Sequence, residues 1–285
     1  MNIQHFFDSR TCTLTYVVSD DATRKAVVFD SVLDFDARSG RISEESIAHV
    51  DRYLAENQLD LKYILDTHAH ADHLSGAQVL KARHGAKIGI GADITKVQET
   101  FKNVFDMGED FATDGSQFDL LLEDGDVLAL GQLKIKAIHT PGHTPACMSY
   151  LIDDALFSGD ALFVPDSGTG RCDFPNGSPA DLFDSVREKL YALADETRVF
   201  VGHDYLPGGR EVSWETTIGK SKTDNIALRE ETRKDGFVKF RKERDGTLAV
   251  PAQILPSVQV NICAGRLPQA HANGIAYLKI PLNVL

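Results

Sequence analysis

The chain is sparing with the features that mark several protein classes. Its four cysteines, Cys12, Cys147, Cys172 and Cys263, lie far apart and form no CxxC pair, which argues against a zinc ribbon and against a disulfide scaffold. Cysteines used in this way fit a reducing, cytoplasmic setting. Runs of Lys or Arg are missing, and a net charge of −12 would repel a phosphate backbone, so nucleic acid is not an expected partner. No apolar run approaches the roughly 18 residues that span a membrane, and no membrane partner is expected. The opening MNIQHFFDSR has no basic stretch followed by an apolar one, so no secretory signal is expected either. Internal repeats, low-complexity stretches and a convincing linker are all missing.

What remains is ordinary for a soluble globular protein, with 42% hydrophobic and 25% charged residues in 285. That length can bury a large core. CTLTYVVSD and KAVVFDS are β-branched runs separated by the turn-forming DDAT, and they predict a hairpin. From Ser43 the period changes: Ile47, Val50 and Leu54 recur at helical spacing, with Ser43 as the expected cap and Glu44 and Glu45 suited to the positive end of the dipole. LKYIL then reads as a short buried strand, and LSGAQVLKARHG as a helix that Gly85 can end. KIGIG predicts another strand and Ile94 to Phe105 another helix. VLALGQLKIKAIHT predicts a hairpin turning near Gly131, followed by strands in CMSYLID and ALFSGD. SPADLFDSVREKLYAL has a strong helix start, with Ser178 as cap and Pro179 at the first helical position. RVFVGHDY reads as a strand, and Ser213 to Lys234 as a charged, solvated helix. Strands and helices in this order predict two sheets face to face with helices outside, an α/β sandwich.

The chemistry concentrates at four strand ends. LDTHAHADHLSG packs His68, His70, Asp72 and His73 into one strand-to-helix turn, and such a turn can direct several side chains at one ion where a regular strand would alternate them. A lone histidine in a loop usually caps a nearby backbone group; three histidines and an aspartate in six residues point to a metal. HTPGHTPA supplies His143, with His139 read as a strand-end or supporting residue. LFSGDALF places Asp160 at the end of an apolar strand, where an isolated carboxylate would be costly without a cation. VFVGHDY does the same with His203.

THAHADH, TPGHT, SGDALF and VGHDY, in this order, resemble the metallo-β-lactamase superfamily over most of the chain. The resemblance implies an αββα four-layer sandwich with metal at one edge between the sheets. It implies one catalytic domain over 1–285, with 251–285 as a C-terminal extension packed on it. GDALFVPDSGTGRCDFPNG, with its run Arg171, Cys172, Asp173 and Phe174, is similar to the segment that sets the ETHE1-like persulfide dioxygenase group apart from glyoxalase II thioesterases, and the tail AGRLPQAHANGIAYLKIPLN is similar to bacterial members of that group. Cys172 departs from the threonine or other small residue expected there.

Carried onto this chain, the resemblance implies one Fe(II) held by His68, His143 and Asp160, a two-histidine, one-carboxylate set that leaves open positions on the iron. His70, Asp72, His73 and His203 then form an outer shell, or complete a second metal site if the centre is dinuclear. Tyr205 is the implied pocket tyrosine. Arg171 is implied either to hold a glutathione carboxylate or to brace the site through Asp173, and Cys172 would put a thiol near the substrate. The implied activity is oxidation of glutathione persulfide by dioxygen to sulfite and glutathione. The alternative is a zinc hydrolase, with one or two Zn(II) per chain, of a thioester or lactone. A third class is a non-catalytic sulfide or redox sensor using Cys172 or Cys147, although strand cysteines are more often inert. Homo-oligomerisation is left open.

Overall fold

The computed structural model describes residues 1–284. Its first half contains β1 (Asn2–Asp8), β2 (Thr13–Ser19), β3 (Lys25–Phe29), β4 (Val32–Asp36), β5 (Arg41–Ser43), α1 (Glu45–Glu56), β6 (Asp60–Leu65), β7 (Leu74–Ser75), α2 (Ala77–His84), β8 (Lys87–Gly91), α3 (Ile94–Val104) and β9 (Leu120–Leu122). Its second half contains β10 (Val127–Leu130), β11 (Leu133–His139), β12 (Met148–Ile152), β13 (Ala155–Gly159), α4 (Pro179–Asp184), β14 (Arg198–Val201), β15 (Glu215–Thr217), α5 (Ile218–Asp224), α6 (Lys234–Asp245) and α7 (Ile254–Asn261). One sheet has the order β1-β2-β3-β6-β8-β9 and the other β10-β11-β12-β13-β14-β15. β4, β5 and β7 form a small third sheet.

Strand alternation builds the layers. Leu14, Tyr16 and Val18 of β2 and Val27 and Phe29 of β3 enter the core shared with Ile135, Tyr150, Phe157 and Phe200 of the opposite sheet. The intervening Val17, Ala26 and Val28 instead join Ile47, Val50, Leu54 and Leu80 from α1 and α2. A one-residue slip in either strand would exchange these two sets and mispack both cores. Phe157 lies between Phe29 and Phe200, with ring centroids 4.5 and 5.1 Å away, and so ties the sheets together. The Tyr16 hydroxyl crosses the same gap to donate to the Val201 carbonyl at 2.7 Å.

Most expected elements form. The hairpin at Gly131 is present, Gly85 ends α2 in the left-handed region at φ +68°, and the Ser178 hydroxyl accepts from the Asp181 N–H. Ser43, however, is the last residue of β5 and does not cap α1. Asp34 of the neighbouring β4 takes that role through space, accepting from the Ser46 N–H at 2.8 Å. The segment read as one helix from Ser213 to Lys234 is divided. Its β-branched Thr216 and Thr217 pair with β14, Thr217 then caps α5, and the Asn225 side chain ends the helix by accepting from the Ala227 and Leu228 N–H groups.

The C-terminal stretch beginning at Pro251 is more than an added layer. α7 buries Ile254 and Val258, and Ile262 just beyond it, in the core beneath α1 to α3, and Val260 joins Leu33 and Leu74 under the small sheet. Beyond Gly265 the backbone is irregular and mostly exposed, and Leu285 of the expected extension lies outside the described residues. Among the described residues, no helix is long and apolar enough to cross a membrane.

Candidate metal centre

Four strand ends meet at one edge of the sandwich. His68 follows β6, His143 follows β11, Asp160 directly follows β13 and His203 follows β14. Both sheets therefore contribute. Ligand atoms of His68, His143 and Asp160 lie within 4.8 Å of one another, and those of His70, Asp72 and His203 do likewise. The His68 ring centroid is 4.1 Å from that of His70 and 4.8 Å from that of His143.

Backbone and hydroxyl partners fix which nitrogen of each ring is free. The Thr67 hydroxyl donates to Asp30 at 2.9 Å, so it accepts from His68 Nδ1 at 3.0 Å and leaves His68 Nε2 without a partner. His70 donates from Nε2 to Asp30 at 3.0 Å, and its Nδ1 is free. His73 donates from Nδ1 to the Leu74 carbonyl at 3.0 Å, and its Nε2 is free. His143 donates from Nδ1 to the Arg171 carbonyl at 2.6 Å, which turns Nε2 toward Asp160 Oδ2 at 3.5 Å. His203 donates from Nδ1 to the Cys12 carbonyl at 3.2 Å, leaving Nε2 3.5 Å from Asp160 and 3.6 Å from Asp72.

Buried polar atoms left unpaired cost about 1–3 kcal/mol each. His68 Nε2, His70 Nδ1, His73 Nε2 and Asp160 Oδ1 are four such atoms in one cluster. Imidazole nitrogen and carboxylate oxygen are the donors that iron and zinc accept, so the residues fit a metal ion.

Electrostatics separate the roles further. Burial holds the His68 imidazole well below its ordinary pKa, helped by the neighbouring His70, so the ring is neutral and able to ligate. Burial likewise lowers His73, to about 4. For His70 burial opposes the charge, but the Asp30 carboxylate outweighs it and raises the pKa to about 9. Burial works against ionised Asp72 too, yet His203, His73 and His70 bring it down to about 2. Asp66 behaves differently: burial raises its carboxyl to about 7, and its Oδ2 accepts from the Ser75 hydroxyl. It supports the turn from behind.

The remaining expected residues divide. Tyr205 stacks on His203, with centroids 5.6 Å apart and planes 14° apart, and stands half-exposed at the mouth. The Arg171 guanidinium makes a two-pronged ion pair with Asp173, 2.6 Å on each arm, and donates to the Ala249 carbonyl at 2.8 Å. The Asp173 pairing is the contact that the bracing role requires, and it does not decide between the two expected roles. Cys172 does not meet the expectation of a thiol facing substrate: it is buried, its Sγ lies 3.9 Å from the Gly170 carbonyl, and burial pushes its pKa far up. Cys147 is buried as well and raised to about 12, so neither thiol has the thiolate character a redox sensor needs.

Sequence reasoning missed Asn261. Its amide donates to the carbonyls of His70 and His73 at 2.8 Å each, and its Oδ1 accepts from the Ser75 N–H at 2.8 Å. The signal was an amide alternating with valines in the VQVN run, where Gln259 and Asn261 interrupt Val258 and Val260, in a segment read as irregular.

Comparison with known proteins matches this geometry. Residues 12–203 fit the model of the metallo-beta-lactamase superfamily. A Burkholderia pseudomallei protein named as a probable metallo-hydrolase is 46% identical over the whole of both chains. A beta-lactamase hydrolase-like protein of Agrobacterium fabrum is 47% identical over all of this chain, which spans 65% of that protein's length. The human persulfide dioxygenase ETHE1 is 30% identical over 90% of this chain and 89% of its own. The crystal structure of ETHE1 from Myxococcus xanthus superposes with a TM-score of 0.75 and 32% identity, over 93% of this chain and all of that one. Four strand ends converging on unpaired histidine and aspartate atoms, inside a fold and a sequence pattern shared with these proteins, show that the chain belongs to the metallo-β-lactamase superfamily.

Proposed function

We propose that this enzyme is a persulfide dioxygenase that uses one Fe(II) held by His68, His143 and Asp160. The observation that carries this reading is the position of the Arg171–Phe174 run. Its Arg171 carbonyl orients His143, and its Phe174 ring lies 6.4 Å from the His143 ring. The stretch that resembles the dioxygenase group is thus built into the support of a proposed iron ligand. Similarity to human persulfide dioxygenase over 90% of the chain agrees with it.

Fe(II) held there would supply the redox chemistry that couples oxidation of a persulfide sulfur to reduction of dioxygen. The chain's own residues prepare that arrangement. Thr67 and Arg171 hold the rings of His68 and His143 in the tautomer that leaves Nε2 free. Tyr205 and Phe163 form an aromatic wall over His203, with ring centroids 6.0 Å apart. In the overall reaction glutathione persulfide, dioxygen and water give glutathione, sulfite and two protons; the outer sulfur is oxidised and dioxygen is reduced.

A specific observation favours a second reading. Free nitrogens on His70 and His73, together with the set His70, Asp72 and His203, would also suit a dinuclear zinc hydrolase of a thioester or lactone. Expression without added metal, followed by iron and zinc analysis and oxygen uptake with glutathione persulfide, separates the two. Iron near one per chain with oxygen consumption is expected; zinc, no uptake and turnover of lactoylglutathione would overturn the dioxygenase reading. His143→Ala should abolish iron binding while His70→Ala retains a substantial fraction. Equal loss in both would sink the three-residue assignment.

A further inference from the structure

α6 lies outside the segment that matches the superfamily model, yet it carries a buried ion pair that reaches the metal centre through one peptide group. Arg241 and Asp245, one turn apart, are 4% exposed each and pair through the guanidinium and Asp245 Oδ1. The other carboxylate oxygen, Oδ2, accepts from the Cys172 N–H at 2.9 Å. That N–H belongs to the same peptide group as the Arg171 carbonyl, the acceptor for His143 Nδ1 at 2.6 Å. Arg241 also donates to the Thr169 carbonyl at 3.2 Å. Between these points the Gly170 N–H donates to the Asp160 carbonyl at 3.0 Å.

We propose that Asp245 is a positioning residue for the metal centre, acting on His143 through the Arg171–Cys172 peptide group. A carboxylate bonded directly to a ligating imidazole fixes its tautomer and makes it a stronger ligand. Here one amide is inserted between them. A negative charge on the N–H side of a peptide polarises it and makes its carbonyl a better acceptor, and hydrogen bonds in series strengthen one another. Arg241 holds the carboxylate in place, since a buried carboxylate without a partner would be strongly unfavourable. The chain of contacts therefore runs from guanidinium to carboxylate to peptide to imidazole. It rests on His143 being a metal ligand, as in the proposed function, but not on which metal or reaction the site uses.

The test is Co(II) binding to the metal-stripped full chain, followed by the visible ligand-field bands of the complex. Asp245→Asn preserves shape and an acceptor for the Cys172 N–H but removes the charge. Affinity is expected to fall about tenfold, the scale of other supporting partners of metal ligands, and the bands are expected to shift. A purely structural role predicts unchanged bands, so affinity within about twofold of the unaltered chain with identical bands overturns the proposal. If Asp245→Asn does not fold, the unaltered protein still decides. Labelling with 15N-cysteine gives four amide signals, and the Cys172 proton should move downfield when Zn(II) is added, because a metal on His143 draws harder on the shared peptide. An unmoved or upfield signal overturns it. If the Co(II) shift in Asp245→Asn is as expected but the unaltered, iron-loaded chain takes up no oxygen with glutathione persulfide, that counts against the dioxygenase reading alone.

Discussion

Replacing Asn261 by Ala removes three buried hydrogen bonds at once, two to the carbonyls of His70 and His73 and one from the Ser75 N–H. Each orphaned group costs about 1–3 kcal/mol when water cannot reach it. The truncation leaves room for a water with polar partners, which recovers part of the loss, so about 3 kcal/mol is the expected total. For a domain of this size that is a fall of about 6 °C in melting temperature. The assay is thermal unfolding of metal-free protein, paired with metal analysis of protein as purified. Asn261→Asp gives the sharper comparison. It has the same shape and can still accept from Ser75, but it places carboxylate oxygen against two carbonyls and should destabilise at least as much as Ala. If both variants melt within about 1 °C of the unaltered chain, the amide does not hold the histidine turn and the reasoning fails.

Two further outcomes follow from the same geometry. Metal-free protein should lose stability as pH rises from about 6.5 to about 9. The folded-state pKa of His70 is raised above its unfolded value, so its contribution is complete below 6.5 and vanishes through 9; Asp66, raised to about 7, acts in the same direction. Denaturant midpoints that stay flat or rise across that range would contradict the His70–Asp30 pairing. Gly170→Ala should lower both stability and metal content, because an added Cβ would lie 2.3 Å from the Asp160 carbonyl oxygen. Overpacking of this kind costs about 1–3 kcal/mol, and a variant with normal metal content and melting would show that the loop gives way freely.

How much of this was legible depended on the range of the interactions. The four metal motifs were readable because each is local: a short run of ligand types after an apolar strand, as in His68 after LKYIL or Asp160 after ALFSG. The helix cap at α1 was misread because its true partner, Asp34, reaches it from another strand, and propensity sees only neighbours in sequence. Arg171 has two expected roles because its motif names a neighbour, Asp173, but no substrate, and the ion pair between them is the part of the pattern that the fold displays. Asp245 carried no local mark, and Asn261 only a faint one, a polar residue among apolar ones. Each looks like one more polar residue in a stretch with no predicted element, and only the folded backbone brings it to a peptide 73 residues away or to carbonyls 191 and 188 residues away.

Those separations impose an order in time. By His203 every proposed ligand has been synthesised, yet the His70–Ser75 turn still lacks Asn261 and the Arg171–Cys172 peptide still lacks Asp245. A nascent chain paused at that point carries the donors without the framework that aims them. Completion of the donor set is thereby separated from completion of the hydrogen-bonded framework around it, which waits for α6 and α7.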